Sequence, residues 1–278
     1  MKKKGIVVFL LAISGASAFY FFNPFVEIKE GNSLNANVIE TIDSISVEKT
    51  KTQLFFLYPK FTNSQVVEHS FYTLSYSKED EQAEWVAYTL YKNSVNDSTK
   101  RKDNFREDPK VIDGSASLSD YRGSGYDRGH LAPAKAMSFN NLSMSESFFM
   151  SNMSPQHPSF NRGIWKKLEE EVRDWIAISD SLYVVTGPIL DKPIGKIGEN
   201  EVTVPSAYYK TIIRFKENEL FGIGFLMNNE KSNKTVHSFA VSIDSIEQLT
   251  KLDFYSNLQV SKQNKVEINS DINEFLKN

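Results

Sequence analysis

Phe71-Tyr72-Thr73-Leu74-Ser75-Tyr76 and Trp85-Val86-Ala87-Tyr88-Thr89-Leu90-Tyr91 are two runs of aromatic and β-branched side chains, separated by a polar stretch at residues 77–82. Such side chains lose rotamer freedom against a helical turn but pack well on a pleated surface, so the pair predicts a β-hairpin. The same composition recurs at residues 181–186, where Gly187-Pro188 predicts the strand's end, and at 207–215 and 220–227. The clearest helical periodicity lies at about 163–177. There Ile164, Trp165, Leu168, Val172, Trp175 and Ile176 share one face, while Lys166, Lys167, Glu170, Arg173 and Asp174 take the other. With no internal repeat or low-complexity segment, these elements predict one α+β domain around an antiparallel sheet.

The amino terminus is of another kind. Lys2, Lys3 and Lys4 precede an apolar run at residues 5–13, and Ala16-Ser17-Ala18 fits the small-residue pattern of a signal-peptidase site. Phe19, Tyr20, Phe21 and Phe22 extend the apolar stretch to about 18 residues, enough for a membrane-spanning helix. Residues 1–25 are therefore expected to be a secretory signal or a retained membrane anchor. In both cases the lysines favour a translocated body, secreted or held in a bacterial envelope. Residues 26–63 mix polar and short apolar pieces and read as a linker or stalk, leaving 64–278 as the folded domain. The absence of cysteine excludes disulfides, thiolate nucleophiles and Cys-ligated zinc. A formal net charge of -3 gives no bulk basic footprint for nucleic acid.

Chemistry concentrates in Asp120-Tyr121-Arg122-Gly123-Ser124-Gly125-Tyr126-Asp127-Arg128-Gly129-His130-Leu131-Ala132-Pro133. Glycines allow positive φ or close backbone approach, and arginine offers a planar fork suited to phosphate oxygens. Histidine accepts a proton near neutral pH. A histidine beside glycine and arginine is, taken alone, more often structural than catalytic. His69, His157 and His237 lack comparable surroundings and receive no role.

This segment resembles the DNA/RNA non-specific endonucleases with a ββα-metal (His-Me finger) active site. Asp127-Arg128-Gly129-His130 matches their Asp-Arg-Gly-His signature, and the run from Asp120 to Ala132 is similar to the endonuclease G branch. Ser151-Asn152-Met153-Ser154-Pro155-Gln156 resembles the second block of the family, and Asn161-Arg162-Gly163-Ile164-Trp165-Lys166-Lys167-Leu168-Glu169 the third. Arg101, Phe105 and Asp108 fit an upstream Arg-x-x-x-Phe-x-x-Asp pattern. Gly187-Pro188 and Val204-Pro205 with Tyr208-Tyr209-Lys210 fit later landmarks, so the likeness spans about residues 71–252.

The resemblance implies sequence-independent hydrolysis of DNA and RNA that leaves 5′-phosphate ends. It implies His130 as general base, for which a neutral imidazole held by a neighbouring acceptor is suited. Asn161 would be the only side chain bound directly to a divalent cation, Mg²⁺ or alternatively Mn²⁺, which keeps several waters and stabilises charge on the transition state and leaving oxygen. Glu169, eight residues on, would lie two helical turns along and less than a quarter-turn round, placed to hold metal-bound waters. Arg128 and Arg101 resemble the phosphate-clamping arginines, and Asn152 an asparagine supporting the metal region. A homodimer is expected by analogy with the family.

Blander readings stand beside these. Arg101 lies in Lys100-Arg101-Lys102 and fits a solvated turn; Glu169 belongs to Glu169-Glu170-Glu171, ordinarily a solvated face; Asn161 fits a helix N-cap. Residues 92–128 carry eight Lys/Arg against seven Asp/Glu, so no broad positive groove is legible. Two competing functions remain open: a catalytically weak nucleic-acid-binding envelope module of the same fold, and a serine hydrolase using His130. The second lacks a Gly-x-Ser-x-Gly elbow.

Overall fold

A computed structural model describes residues 58–60, 64–92 and 99–277. In chain order the strands are β1 (Gln65–Glu68), β2 (Tyr72–Ser77), β3 (Gln82–Tyr91), β4 (Asp127–His130), β5 (Met153–Gln156), β6 (Ser181–Ile189), β7 (Gly195–Ile197), β8 (Val202–Val204), β9 (Ala207–Lys216), β10 (Glu219–Asn228) and β11 (Ala240–Val241). The helices are α1 (Leu118–Tyr121), α2 (Asn141–Glu146), α3 (Lys166–Trp175), α4 (Ile243–Thr250), α5 (Val260–Glu267) and α6 (Ile272–Phe275). Seven strands form one antiparallel sheet in the order β1-β2-β3-β6-β9-β10-β11, while β4-β5 and β7-β8 are separate two-stranded ribbons.

The aromatic runs pair as a hairpin, with a register shift between Ser75 and Tyr76. Its turn is shorter than the polar stretch suggests, because Ser77 and Gln82 already pair across it. β6 continues past Gly187-Pro188 to Ile189, whereas the sequence predicts a stop there. The reason is positional. β3 leaves β6 at Thr186, so Pro188 pairs only with Tyr208 on β9 and lies where one side of the strand is unpaired. β9 and β10 close through Glu217 and Asn218, both at positive φ, the two-residue turn that matches strand twist.

Both faces of the sheet are covered, which explains why β2 and most of β9 are buried without alternation. On one face Tyr72, Val86, Tyr88, Tyr208 and Ile212 pack against Phe160, Ile164, Trp165, Leu168 and Val172 at the start and along α3. On the other, Trp85, Val185, Tyr209 and Ile213 pack against Ile243, Ile246 and Val266 of α4 and α5. That second layer touches backbone: a Cβ at Gly222 would lie 2.0 Å from the carbonyl oxygen of Val266, and one at Gly224 2.7 Å from Ile246 Cδ1.

The predicted export segment lies outside the described residues. Among the described residues no helix is long and apolar enough to cross a membrane. Residues 58–60, within the stretch read as a stalk, pack on the domain: Tyr58 stacks on Trp85 at 5.5 Å and Lys60 bridges Asp253.

Candidate active site

The signature segment enters the fold as one strand of a ribbon. β4 pairs antiparallel with β5 in the register Asp127↔Gln156, Arg128↔Pro155, Gly129↔Ser154 and His130↔Met153. The three glycines divide the work expected of them. Gly123 and Gly125 take φ of 72° and 84° in the approach to β4, and Gly129 faces Gln156 so closely that a Cβ would sit 2.1 Å from its Cδ. After β5 the chain makes a π-helical turn, Phe160–Trp165, and runs directly into α3. Ribbon and helix together are a ββα unit.

His130, at the end of β4, is held by rings. Phe148 meets it edge-on at 5.0 Å and Phe105 lies at 5.8 Å. Each ring carries an arginine on its face, with the Arg101 guanidinium 4.9 Å from Phe148 and that of Arg128 4.3 Å from Phe105. The acceptor expected beside the imidazole is absent among the described residues. Nε2 is buried with no partner, so aromatic packing fixes the ring and Nδ1 is the nitrogen left accessible. Burial, then the charges of Arg101 and Arg128, pull the His130 pKa down to about 3, so the ring is neutral at pH 7.

Asn161 sits inside the π turn, not at a helix N-cap. Its side chain turns away from the helix backbone, and Nδ2 donates to Asp127 Oδ2 at 2.9 Å. Arg162 grips the same carboxylate with both Nε and Nη2. Burial alone would raise the Asp127 pKa, but the hydrogen bonds from Arg162 and Asn161 outweigh it and hold the carboxylate below its ordinary range. The amide nitrogen is thereby committed and Asn161 Oδ1 left free, a single neutral oxygen of the kind a hard, mostly hydrated cation takes. The residues present therefore fit a divalent metal.

α3 begins only at Lys166, because Gly163 (φ -108°, ψ -111°) breaks helical geometry within the turn. The Asn161–Glu169 spacing is accordingly not that of an unbroken α-helix. Glu169 is nevertheless no solvated charge. Burial pushes it up to about 7, opposed chiefly by Lys210, while burial pulls Lys210 down to about 8, opposed by Glu169. Lys210, on β9, is wholly buried, and its Nζ has no hydrogen-bond partner and lies 4.8 Å from the Trp165 ring centroid. Arg101 acts on both His130 and Glu169, and Arg128 on both His130 and Asp127, so the predicted residues share one electrostatic neighbourhood.

Asn152 is a brace. Fully buried, it accepts from the Ala132 N–H at 2.8 Å and donates to the carbonyls of Ala132 and Ser147 at 3.0 and 2.8 Å, fixing the chain just beyond His130. Sequence reasoning gave no role to Asp127, Phe105, Phe148 or Lys210. Asp127, Phe105 and Lys210 stood within quoted motifs; nothing marked Phe148.

A His–Asp–Ser set does occur elsewhere, with a different wiring. His69 Nε2 lies 2.8 Å from Asp108 Oδ2, and Ser151 donates to the same oxygen, so the aspartate is the hub and no hydrogen bond joins serine to histidine. All three are buried. His130 itself bonds to no serine or aspartate, which removes the serine-hydrolase reading.

Comparison with known proteins agrees with this geometry. The sequence profile of the family described as DNA/RNA non-specific endonuclease matches residues 55–261. A nuclease of Nostoc sp. is 34% identical over 212 residues, covering 72% of this chain and 76% of the relative. Mitochondrial endonuclease G of Homo sapiens is 32% identical over 210 residues, covering 70% and 71%. In three dimensions a chain from the crystal structure of the EndoG/EndoGI complex superposes with a TM-score of 0.69 at 32% identity, covering 75% of this chain and 92% of that one. The ribbon, the π turn and the residues they bring together thus belong to a nuclease, and this chain is a member of the DNA/RNA non-specific endonuclease family.

Proposed function

We propose that this nuclease hydrolyses phosphodiester bonds of both DNA and RNA, with His130 as general base and Asn161 as the direct ligand of a single Mg²⁺. The observation that carries the reading is the pairing of a neutral, ring-packed His130 between two arginines with an Asn161 amide whose nitrogen is tied to Asp127. Arg101 and Arg128 bind the scissile phosphate and set it over His130 Nδ1. Burial and then their positive field hold the imidazole pKa low; the incoming phosphate neutralises the second of these, so the base strengthens when substrate arrives. His130 then takes a proton from the attacking water as the new P–O bond forms and the bond to the 3′-oxygen breaks; that oxygen takes a proton from solvent water, giving 5′-phosphate and 3′-hydroxyl ends. When bound, the cation supplies charge stabilisation to the transition state and the leaving oxygen, held by Asn161 with Glu169 on its waters. Asn152 and Asp127 position His130 and Asn161 without touching substrate. Export to the cell envelope or beyond, by the lysine-headed apolar segment, is part of the same proposal.

The test is digestion of plasmid and of RNA by the full-length protein, with Mg²⁺ or EDTA, beside His130→Ala. Degradation of both polymers that EDTA and the substitution abolish supports the assignment. Intact polymers, from folded protein across several divalent metals, would refute it and leave a binding module of the same fold.

A further inference from the structure

On the face of the sheet opposite His130, three carboxylates meet where α4 and α5 lie together. Asp244 and Glu247 stand one turn apart on α4 and Glu267 ends α5. One ligand oxygen from each lies within 4.8 Å of the others. Glu267 is only 5% exposed, and its Oε1 is buried with no hydrogen-bond partner. Glu247 Oε1 accepts from the Phe254 N–H at 2.7 Å, which aims that carboxylate inward. Among the described residues no ion pair reaches any of the three.

A buried carboxylate oxygen without a partner is costly, and two further carboxylates beside it add repulsion. Both neighbouring helices pack closely on β10 at Gly222 and Gly224, which holds α4 and α5 side by side. The donor set also selects among cations. Three carboxylates within reach of one ion suit Ca²⁺, which takes about six to eight oxygens in flexible geometry, better than Mg²⁺, which keeps most of its waters and takes one or two carboxylates.

We infer that Asp244, Glu247 and Glu267 form a calcium site that ties α4 to α5 on the outer face of the sheet, with water completing the coordination. The site is structural and separate from the cation at Asn161. Tyr255 packs in the same cluster and feels the charges of both glutamates, which makes it a sensitiser for bound terbium.

The experiment uses the full-length protein carrying Asn161→Ala, so that divalent binding at the active site is removed. After EDTA treatment, melting temperature is followed against CaCl₂, and tyrosine-sensitised luminescence against Tb³⁺. At tenfold excess over Kd, calcium is expected to raise Tm by about 3–6 °C, and to displace the luminescent terbium. Adding Glu267→Gln, or Asp244→Asn at a partly exposed position that leaves the core untouched, should abolish both responses. The same calcium shift in Asp244→Asn, or no shift in the parent, would overturn the site. An equal shift with magnesium would overturn its assignment to calcium.

Discussion

The two faces of the central sheet each bury carboxylates whose pKa is pushed to about 7, yet they surround them oppositely. Glu169, on the α3 side, has Lys210, Arg173 and Arg101 as its main opposing charges. Glu247 and Glu267, on the α4–α5 side, are met by further acids, Asp244 and Asp253. One layer gathers arginines and a buried lysine around His130 and Glu169, and the other gathers carboxylates between helices. A net charge of -3 conceals this division. The first layer suits an anionic polymer and the second a cation, so local arrangement, not bulk composition, tells what each face binds.

The largest effect that would sharpen this contrast is at the base. His130→Ala is expected to lower kcat/KM on plasmid and RNA by about 10²–10⁴-fold, measured with Mg²⁺ in excess. The same variant reports on stability. Folding holds the His130 pKa at about 3, below the ordinary 6.5, so the unfolded chain gains a proton the native one refuses. Wild-type stability is therefore full above 6.5 and falls as pH drops from 6.5 towards 3; denaturant melts of His130→Ala should show a shallower fall.

Next in size is the carboxylate that turns Asn161. Asp127→Ala frees the amide and is expected to weaken Mg²⁺ affinity about 10–100-fold, read as the Mg²⁺ concentration for half-maximal cleavage. Retained affinity would separate Asp127 from the metal. A smaller change follows from Lys210→Met. Loss of the charge that most opposes burial raises the Glu169 pKa further, so activity at pH 7 should fall about 3–10-fold and recover towards pH 9. A pH–rate profile identical to wild type would break the claim that this face is organised by its buried cations. The smallest effect is on the other face. Glu267 has a folded pKa raised from 4.5 to about 7, so its contribution is fully present below 4.5 and lost as pH rises through 7. In EDTA at pH 8, Glu267→Gln should melt about 2–4 °C higher than wild type, a difference that vanishes at pH 4.5.

How much of this was legible in sequence depended on the range of the interactions involved. The hairpin strands and α3 announced themselves through aromatic runs and a helical stripe, because both faces of the sheet had to be filled. The short ribbons β4-β5 and β7-β8 carried no periodicity and are set by pairing with distant residues. In the site, His130 and Asn161 were singled out through the resemblance of short blocks to a known family. The π turn was not, since the break at Gly163 lies inside a pattern that reads as continuous helix. Arg101 and Phe105 were visible as a pattern, but the stacking of each arginine on its own ring, with His130 between, required Phe148 to be brought back from another segment. The acidic trio was hidden for the same reason: Glu267 reaches Asp244 and Glu247 only after α4 and α5 have docked on β10.

Asn152 has a consequence for when the protein becomes active. It grips both polar groups of Ala132, and residues 131–152 form a long excursion between the two strands of the catalytic ribbon. That loop must close before β4 and β5 gain anything from pairing. A nascent or unfolded chain lacks the ββα unit, and with it the placement of His130 and Asn161 on which the proposed hydrolysis rests. Activity therefore waits on folding, and the loop that Asn152 fastens is part of what has to close first.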